Sequence, residues 1–192
     1  MITHLLIKYK IELSKIKMKI IGNYVLSKDS LGKGQFGAVY KCHQKGEPSS
    51  IFACKMIVRK SLSTRLFNNL KNEINILSKI NSPYVIGLKD LQKTENNFYL
   101  IMECANGGDL ENLKDIRGRF KEAEARLILQ QLVAGFKEIY KMQVMHRDLK
   151  LANILVHFPN EDFSASEIPE GVQRTIHLNQ RFKNIDLLKS NI

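Results

Sequence analysis

The sequence predicts an α+β, bilobal fold: a five-stranded antiparallel lobe with one helix, then an incomplete helical lobe. Three observations predict it. Strand-type alternation and β-rich runs dominate residues 24–103. One stretch of helical spacing, residues 61–80, interrupts them. Beyond Asn106-Gly107-Gly108-Asp109 the period turns helical, with a long amphipathic run over 122–142. A chain of 192 residues with 44% hydrophobic content can build one good-sized core or two small lobes.

The elements follow in order. Residues 1–21, MITHLLIKYKIELSKIKMKII, form a basic amphipathic extension, with Ile2, Leu5, Leu6, Tyr9, Leu13, Ile16 and Ile20 at helical spacing. A helix packed on the domain or a poorly ordered extension is favoured there over a membrane-surface helix. The sheet-rich lobe is placed at 22–105. Residues 24–31 and 38–42 flank a glycine-rich turn and predict a hairpin, 45–50 a turn, and 50–58 a strand. The helix over 61–80 carries Leu62, Leu66, Leu70, Ile74 and Leu77, and Asn81-Ser82-Pro83 stops it. Strands follow over 85–91 and 98–103, split by a polar turn at 94–97. The partial helical lobe is placed at 106–158. Asp109 is a plausible N-cap for a short helix. The run over 122–142 sets Ala125, Leu129, Leu132, Val133, Phe136, Ile139 and Tyr140 at spacings of three and four. Residues 154–156 form a short strand. Residues 159–192 are an insertion or tail, polar and loop-like at first, with weak helical hints toward Ile192.

Composition narrows the function. The net charge of +11 suits nucleic acid, anionic lipid or a phosphate-rich ligand, or simply a solvated basic surface. With no RNA-binding signature, no zinc-finger spacing and no aromatic interleaving of basic runs, nucleic acid is not expected. Cys42, Cys54 and Cys104 are odd in number and far apart, which points to a reducing, cytoplasmic setting rather than a disulfide framework. No apolar run approaches a membrane span.

Four constellations carry chemistry. The first is Leu31-Gly32-Lys33-Gly34-Gln35-Phe36-Gly37-Ala38-Val39. Alone, such a glycine pattern is an ordinary hairpin turn. Here a strand follows it instead of the helix a dinucleotide fold requires. It suits a hairpin lid whose backbone N–H groups lie over phosphates, with no Cβ to hold the ligand away. The second is Ala53 and Lys55, on one face of an apolar strand. A small side chain beside a cation fits a flat base above its phosphates, although Lys55 alone reads better as an edge-strand lysine. The third is Glu73, eighteen residues on, which could pair with Lys55; a solvated helix-surface glutamate explains it equally well alone. The fourth is His146-Arg147-Asp148-Leu149-Lys150, followed by Asn153. Asp148 can take a proton from an attacking hydroxyl, Lys150 can neutralise a moving phosphoryl group, and the Asn153 amide oxygen can ligate Mg²⁺. His146 and Arg147 are expected to be structural.

Together these motifs resemble the protein kinase family over about residues 24–156. Lys150 resembles the serine/threonine branch, and Gly32–Tyr40 and Glu73–Leu88, taken as residues 32–40 and 73–88, resemble the autophagy-initiating and calmodulin-dependent kinases. The resemblance implies ATP with Mg²⁺ as cofactor and a protein serine or threonine as substrate. It implies a phosphate lid at Gly32, Lys33, Gly34, Gln35, Phe36, Gly37 and Ala38. Leu31, Val39 and Ala53 would roof the adenine and Leu155 floor it. Lys55 would hold phosphates with Glu73 as its partner, and Met102 falls at the gatekeeper position. The backbone of Glu103 and Ala105 would meet adenine, and Asp109 falls where the ribose is held. Asp148 would be the base, Lys150 the γ-phosphate contact and Asn153 a metal ligand.

The pattern breaks after Asn153. The family's Asp-Phe-Gly, activation loop and Ala-Pro-Glu are absent from the 192 residues. Phe182-Lys183-Asn184-Ile185-Asp186-Leu187-Leu188 offers Asp186 as a poor substitute for the metal-binding aspartate. The expectation is a kinase domain cut short before that motif, inactive as it stands, with an exposed apolar patch on the 122–142 helix. The alternative is a non-catalytic nucleotide-binding module that pairs with an intact kinase.

Overall fold

The computed structural model describes residues 19–34, 37–158, 175–178 and 183–184. The sheet-rich half runs β1 (Lys19–Ile21), β2 (Tyr24–Gly34), β3 (Gly37–Gln44), β4 (Glu47–Val58), α1 (Thr64–Leu77), β5 (Leu88–Lys93) and β6 (Asn97–Glu103). These strands form one six-stranded antiparallel sheet, ordered β1-β2-β3-β4-β6-β5. Alternation sorts the side chains. On β6, Phe98, Leu100 and Met102 face the core shared with α1, while Tyr99 and Ile101 join Cys42, Cys54 and Leu26 on the other face.

The expected strands are present, and β1 adds a sixth. Residues 19–21 were expected to lie in the amphipathic extension. They form a strand instead because Ile21 fills the outer cluster beside Tyr24 and Leu26. The rest of that extension, residues 1–18, lies outside the described residues. α1 is shorter than expected. It starts where the Ser63 side chain accepts from the Leu66 N–H at 3.4 Å, after a single 3₁₀ turn over Arg59–Ser61. β5 starts late because Val85 and Ile86 are buried in the loop before it.

The helical half has α2 (Leu110–Arg117), α3 (Glu122–Lys141), β7 (Val144–Met145) and β8 (Ile154–His157). Its core continues the one beneath the sheet through Leu110, Leu113, Ile128, Ile139, Val144 and Val156. The expected stripe of α3 is split. Ile139 is buried and Leu132 and Phe136 pack against the core, joined by Ile128, which lies off the expected stripe. Leu129, Val133 and Tyr140 are instead exposed at 61%, 45% and 76% and form the apolar patch expected on this helix. The tail also departs from its helical hints. β9 (Thr175–Leu178) pairs antiparallel with β8, and β10 (Lys183–Asn184) pairs with β7.

Candidate active site

The glycine-rich hairpin closes where Gly34 faces Gly37 across β2 and β3. Gln35 and Phe36 at its tip lie outside the described residues. Its glycines serve different ends. A Cβ on Gly32 would meet nothing within 4 Å, so that position leaves open space. Gly37 has φ +158°, and a Cβ there would overlap the Met56 carbonyl oxygen on β4. Gly37 is therefore required by the sheet itself. Lys33 and Ala38 pair across the hairpin, and Leu31 is 51% exposed.

Register places the pocket wall. Val39 lies opposite Lys55, and Lys55 opposite Leu100; two residues along, on the same face, Ala53 lies opposite Met102. Ala53 is buried, so that patch is small and apolar. Lys55 points to the α1 face, where its Nζ meets Glu73 Oε1 at 2.9 Å. Glu73 reaches it from the middle of α1, which Leu70, Ile74 and Leu77 fasten to the sheet core.

The segment leaving β6 is joined to the strand after the catalytic-type loop. Gly107 N–H donates to the Val156 carbonyl at 2.9 Å, Val156 N–H donates to Gly108 at 2.8 Å, and Asp109 bridges Leu155. This brings Leu155 beside Asp109. Both Asp109 oxygens are engaged at the head of α2, accepting from the Asn112 N–H at 2.8 Å and the Asn112 side-chain amide at 2.9 Å.

The loop itself is held from within. His146 is buried and packs edge-on against Phe136, with ring centroids 6.3 Å apart. The Asp148 N–H donates to His146 Nδ1 at 3.4 Å, and Arg147 turns the chain with φ 59°. Asn153 Nδ2 donates to both the Asp148 carbonyl, at 2.7 Å, and Asp148 Oδ2, at 2.9 Å. Lys150 Nζ lies 3.9 Å from Asp148 Oδ1. The carboxylate is thus aimed by an amide and faces a cation on its other oxygen.

These groups fit the expected ligands. Both side-chain bonds of Asn153 to Asp148 use its nitrogen, which leaves the amide oxygen as a hard donor of the kind Mg²⁺ accepts. A partnered Lys55 beside apolar Val39 and Ala53 suits a nucleotide. Among the described residues no group of three or more His, Cys, Asp or Glu side chains could hold a metal ion by itself. Mg²⁺ commonly takes its remaining ligands from phosphate oxygens and water. Asp186 lies outside the described residues. The sequence gives no signal for two further features, the Asn106–Phe158 pairing and the grip of the Glu103 carboxylate on Gly87.

Comparison with known proteins gives one family. The model of the protein kinase domain matches residues 25–168. The match runs past the expected limit near Val156, and its last residues, 159–168, lie outside the described residues. The chain is 38% identical over 128 residues to serine/threonine-protein kinase ULK3 of Mus musculus, covering 67% of this chain and 27% of that protein. It is 32% identical over 146 residues to calcium/calmodulin-dependent protein kinase type 1 of Macrobrachium nipponense, covering 76% and 42%. It is 34% identical over 126 residues to serine/threonine-protein kinase 33 of Mus musculus, covering 66% and 26%. The chain thus spans about a quarter to two fifths of the length of these relatives.

Proposed function

The chain belongs to the protein kinase family, in its serine/threonine branch, and from that premise we propose that it holds ATP and serves phosphoryl transfer to protein serine or threonine. The observation that carries this reading is the Lys55–Glu73 ion pair at 2.9 Å, on the strand whose Ala53 lines the apolar wall. The sheet lobe, residues 22–105, would supply the nucleotide pocket, and residues 106–158 the catalytic loop.

Each residue has a physical task. Lys55, kept in place by Glu73, grips phosphate oxygens. Val39, Ala53 and Leu155 exclude water around the base, with Met102 at the back. The backbone of Glu103 and Ala105 orients the base, and Asp109 stands near the ribose while capping α2. Gly32 and Gly34 let the hairpin backbone approach the phosphates. Asp148 accepts the proton of the attacking hydroxyl, and its hydrogen bond from Asn153 fixes where that oxygen points. Lys150 offsets charge on the transferred group. Bound ATP·Mg²⁺ supplies the phosphoryl group and neutralises its charge, with the Asn153 amide oxygen as one metal ligand. Free Cys42, Cys54 and Cys104 support a reducing, cytoplasmic setting.

We further propose that the 192 residues alone transfer phosphate slowly or not at all, because they contain no Asp-Phe-Gly. The test is transfer of γ-labelled phosphate to serine, threonine and tyrosine peptides. Label on serine or threonine that disappears in Asp148→Asn supports the kinase reading and overturns the inactivity. ATP binding without transfer supports both. A chain that shows neither ATP binding nor transfer would overturn the reading.

A second reading, a non-catalytic module that pairs with an intact kinase, is favoured by exposed Leu129, Val133 and Tyr140 on α3. Sedimentation of the chain with a full-length kinase of this branch tests it. Loss of the complex in Val133→Glu would support it, and no complex would exclude it.

A further inference from the structure

The linker between the two halves is short and clamped at both ends. On the sheet side Glu103 grips Gly87 twice. Its N–H donates to the Gly87 carbonyl at 3.1 Å, and its Oε2 accepts the Gly87 N–H at 2.9 Å. Its other oxygen lies 3.4 Å from Lys89 Nζ. The contact is close, since a Cβ on Gly87 would come within 3.3 Å of the Glu103 carboxylate. The β5–β6 register breaks between Leu88 and Asp90, so this end of the ladder is irregular and the carboxylate supplies a bond that regular pairing would not. On the helical side Asn106 Oδ1 accepts the Phe158 N–H at 2.8 Å, and Asn106 Nδ2 donates to the Phe158 carbonyl at 3.0 Å.

Cys104 and Ala105 alone lie between the clamps. One side of this pair borders an open cavity of about 590 Å³, lined also by Ile51, Phe52 and Pro83. That cavity reaches neither Lys55 nor Asp148, but it shares Glu103 and Ala105 with the candidate nucleotide site. Cys104 and Ala105 are half-buried, with open space on that side.

We propose that the side chains of Glu103 and Asn106 are positioning residues that set the height of the Cys104 and Ala105 backbone and so set affinity for an adenine base. The proposal rests on reading the pocket as a nucleotide site. Backbone hydrogen bonds to a flat ring weaken steeply with misalignment. A span anchored at both ends also has little freedom left to lose on binding. Neither side chain needs to touch the base.

The test uses the whole 192-residue chain and two probes, adenosine, which has no phosphate, and tripolyphosphate, which has no base. Glu103→Ala and Asn106→Ala are expected to weaken adenosine about tenfold, the loss of one well-placed hydrogen bond. Tripolyphosphate affinity is expected to stay unchanged. Glu103→Gln should recover most of the adenosine affinity, because its amide oxygen still accepts from Gly87. Amide hydrogen exchange of the ligand-free variants should speed up at residues 104–106. Equal weakening of both probes would mean general loss of structure and would overturn the proposal. So would unchanged adenosine affinity in both alanine variants. A wild-type chain that binds no adenosine would fail the nucleotide reading itself, and the proposal with it.

Discussion

Lys55 Nζ and Glu73 Oε1 meet at 2.9 Å across a separation of 18 residues, joining β4 to α1. Lys55 is 33% exposed and Glu73 17%, so the pair is only partly withdrawn from water. A partly wet ion pair contributes little to stability, about 0–1 kcal/mol. Its value lies in fixing where the ammonium sits. Glu73→Gln is therefore expected to lower ADP affinity about tenfold while the melting temperature barely moves. Calorimetric titration and thermal denaturation of the same sample check both. Unchanged ADP affinity would mean that Lys55 holds its place without Glu73.

The glycines of the hairpin should separate by cause. Gly37→Ala drives a Cβ into the Met56 carbonyl and should destabilise the chain by about 2–4 kcal/mol. Gly32→Ala meets no neighbour within 4 Å, so its stability should match wild type while ADP binding weakens. Urea unfolding of the two variants distinguishes them. Equal losses of stability would contradict the assignment.

Asn153 bonds Asp148 twice through its nitrogen, leaving its oxygen for a cation. Mg²⁺ should therefore tighten ADP binding to the wild-type chain, and chelation with EDTA should remove that gain. In Asn153→Ala the gain should shrink or vanish. Titrations with and without Mg²⁺ measure it, and an undiminished gain in Asn153→Ala would place the metal elsewhere.

Much of this arrangement is legible in the sequence, for physical reasons. Strand alternation alone sets Ala53 and Lys55 on one face, and the spacing of Leu70, Ile74 and Leu77 turns α1 toward the sheet. What escapes sequence reasoning depends on distant partners. The strand Lys19–Ile21 looks helical by periodicity, and tertiary contact with Tyr24 and Leu26 decides otherwise. On α3 two apolar stripes compete, and only the packed fold shows that Ile128 is buried while Leu129 is not. Gly37 needs its missing side chain because of β4, which the hairpin sequence cannot reveal. Asn106 finds Phe158 at a separation of 52 residues.

The Cys104 thiol is pushed up from its ordinary value of 9.0, chiefly by burial, and the Tyr24 hydroxyl is pushed up from 10.0 by burial and by Asp90. Above pH 9.0 the unfolded chain releases the Cys104 proton while the folded chain keeps it. The stability that Cys104 contributes is thus complete below that pH and is lost as pH rises through the folded value. Urea midpoints should fall as pH rises past 9.0, and Cys104→Ser should flatten the fall. An identical slope in the variant would contradict the burial argument.

If this chain grips a nucleotide through Lys55, its affinity depends on that ammonium. Titration of the 192-residue chain with ADP and Mg²⁺, beside Lys55→Met, tests it most directly. Saturable one-site binding is expected of the wild type, weakened at least about tenfold in the variant. Absence of saturable binding, or equal affinity in Lys55→Met, would contradict it.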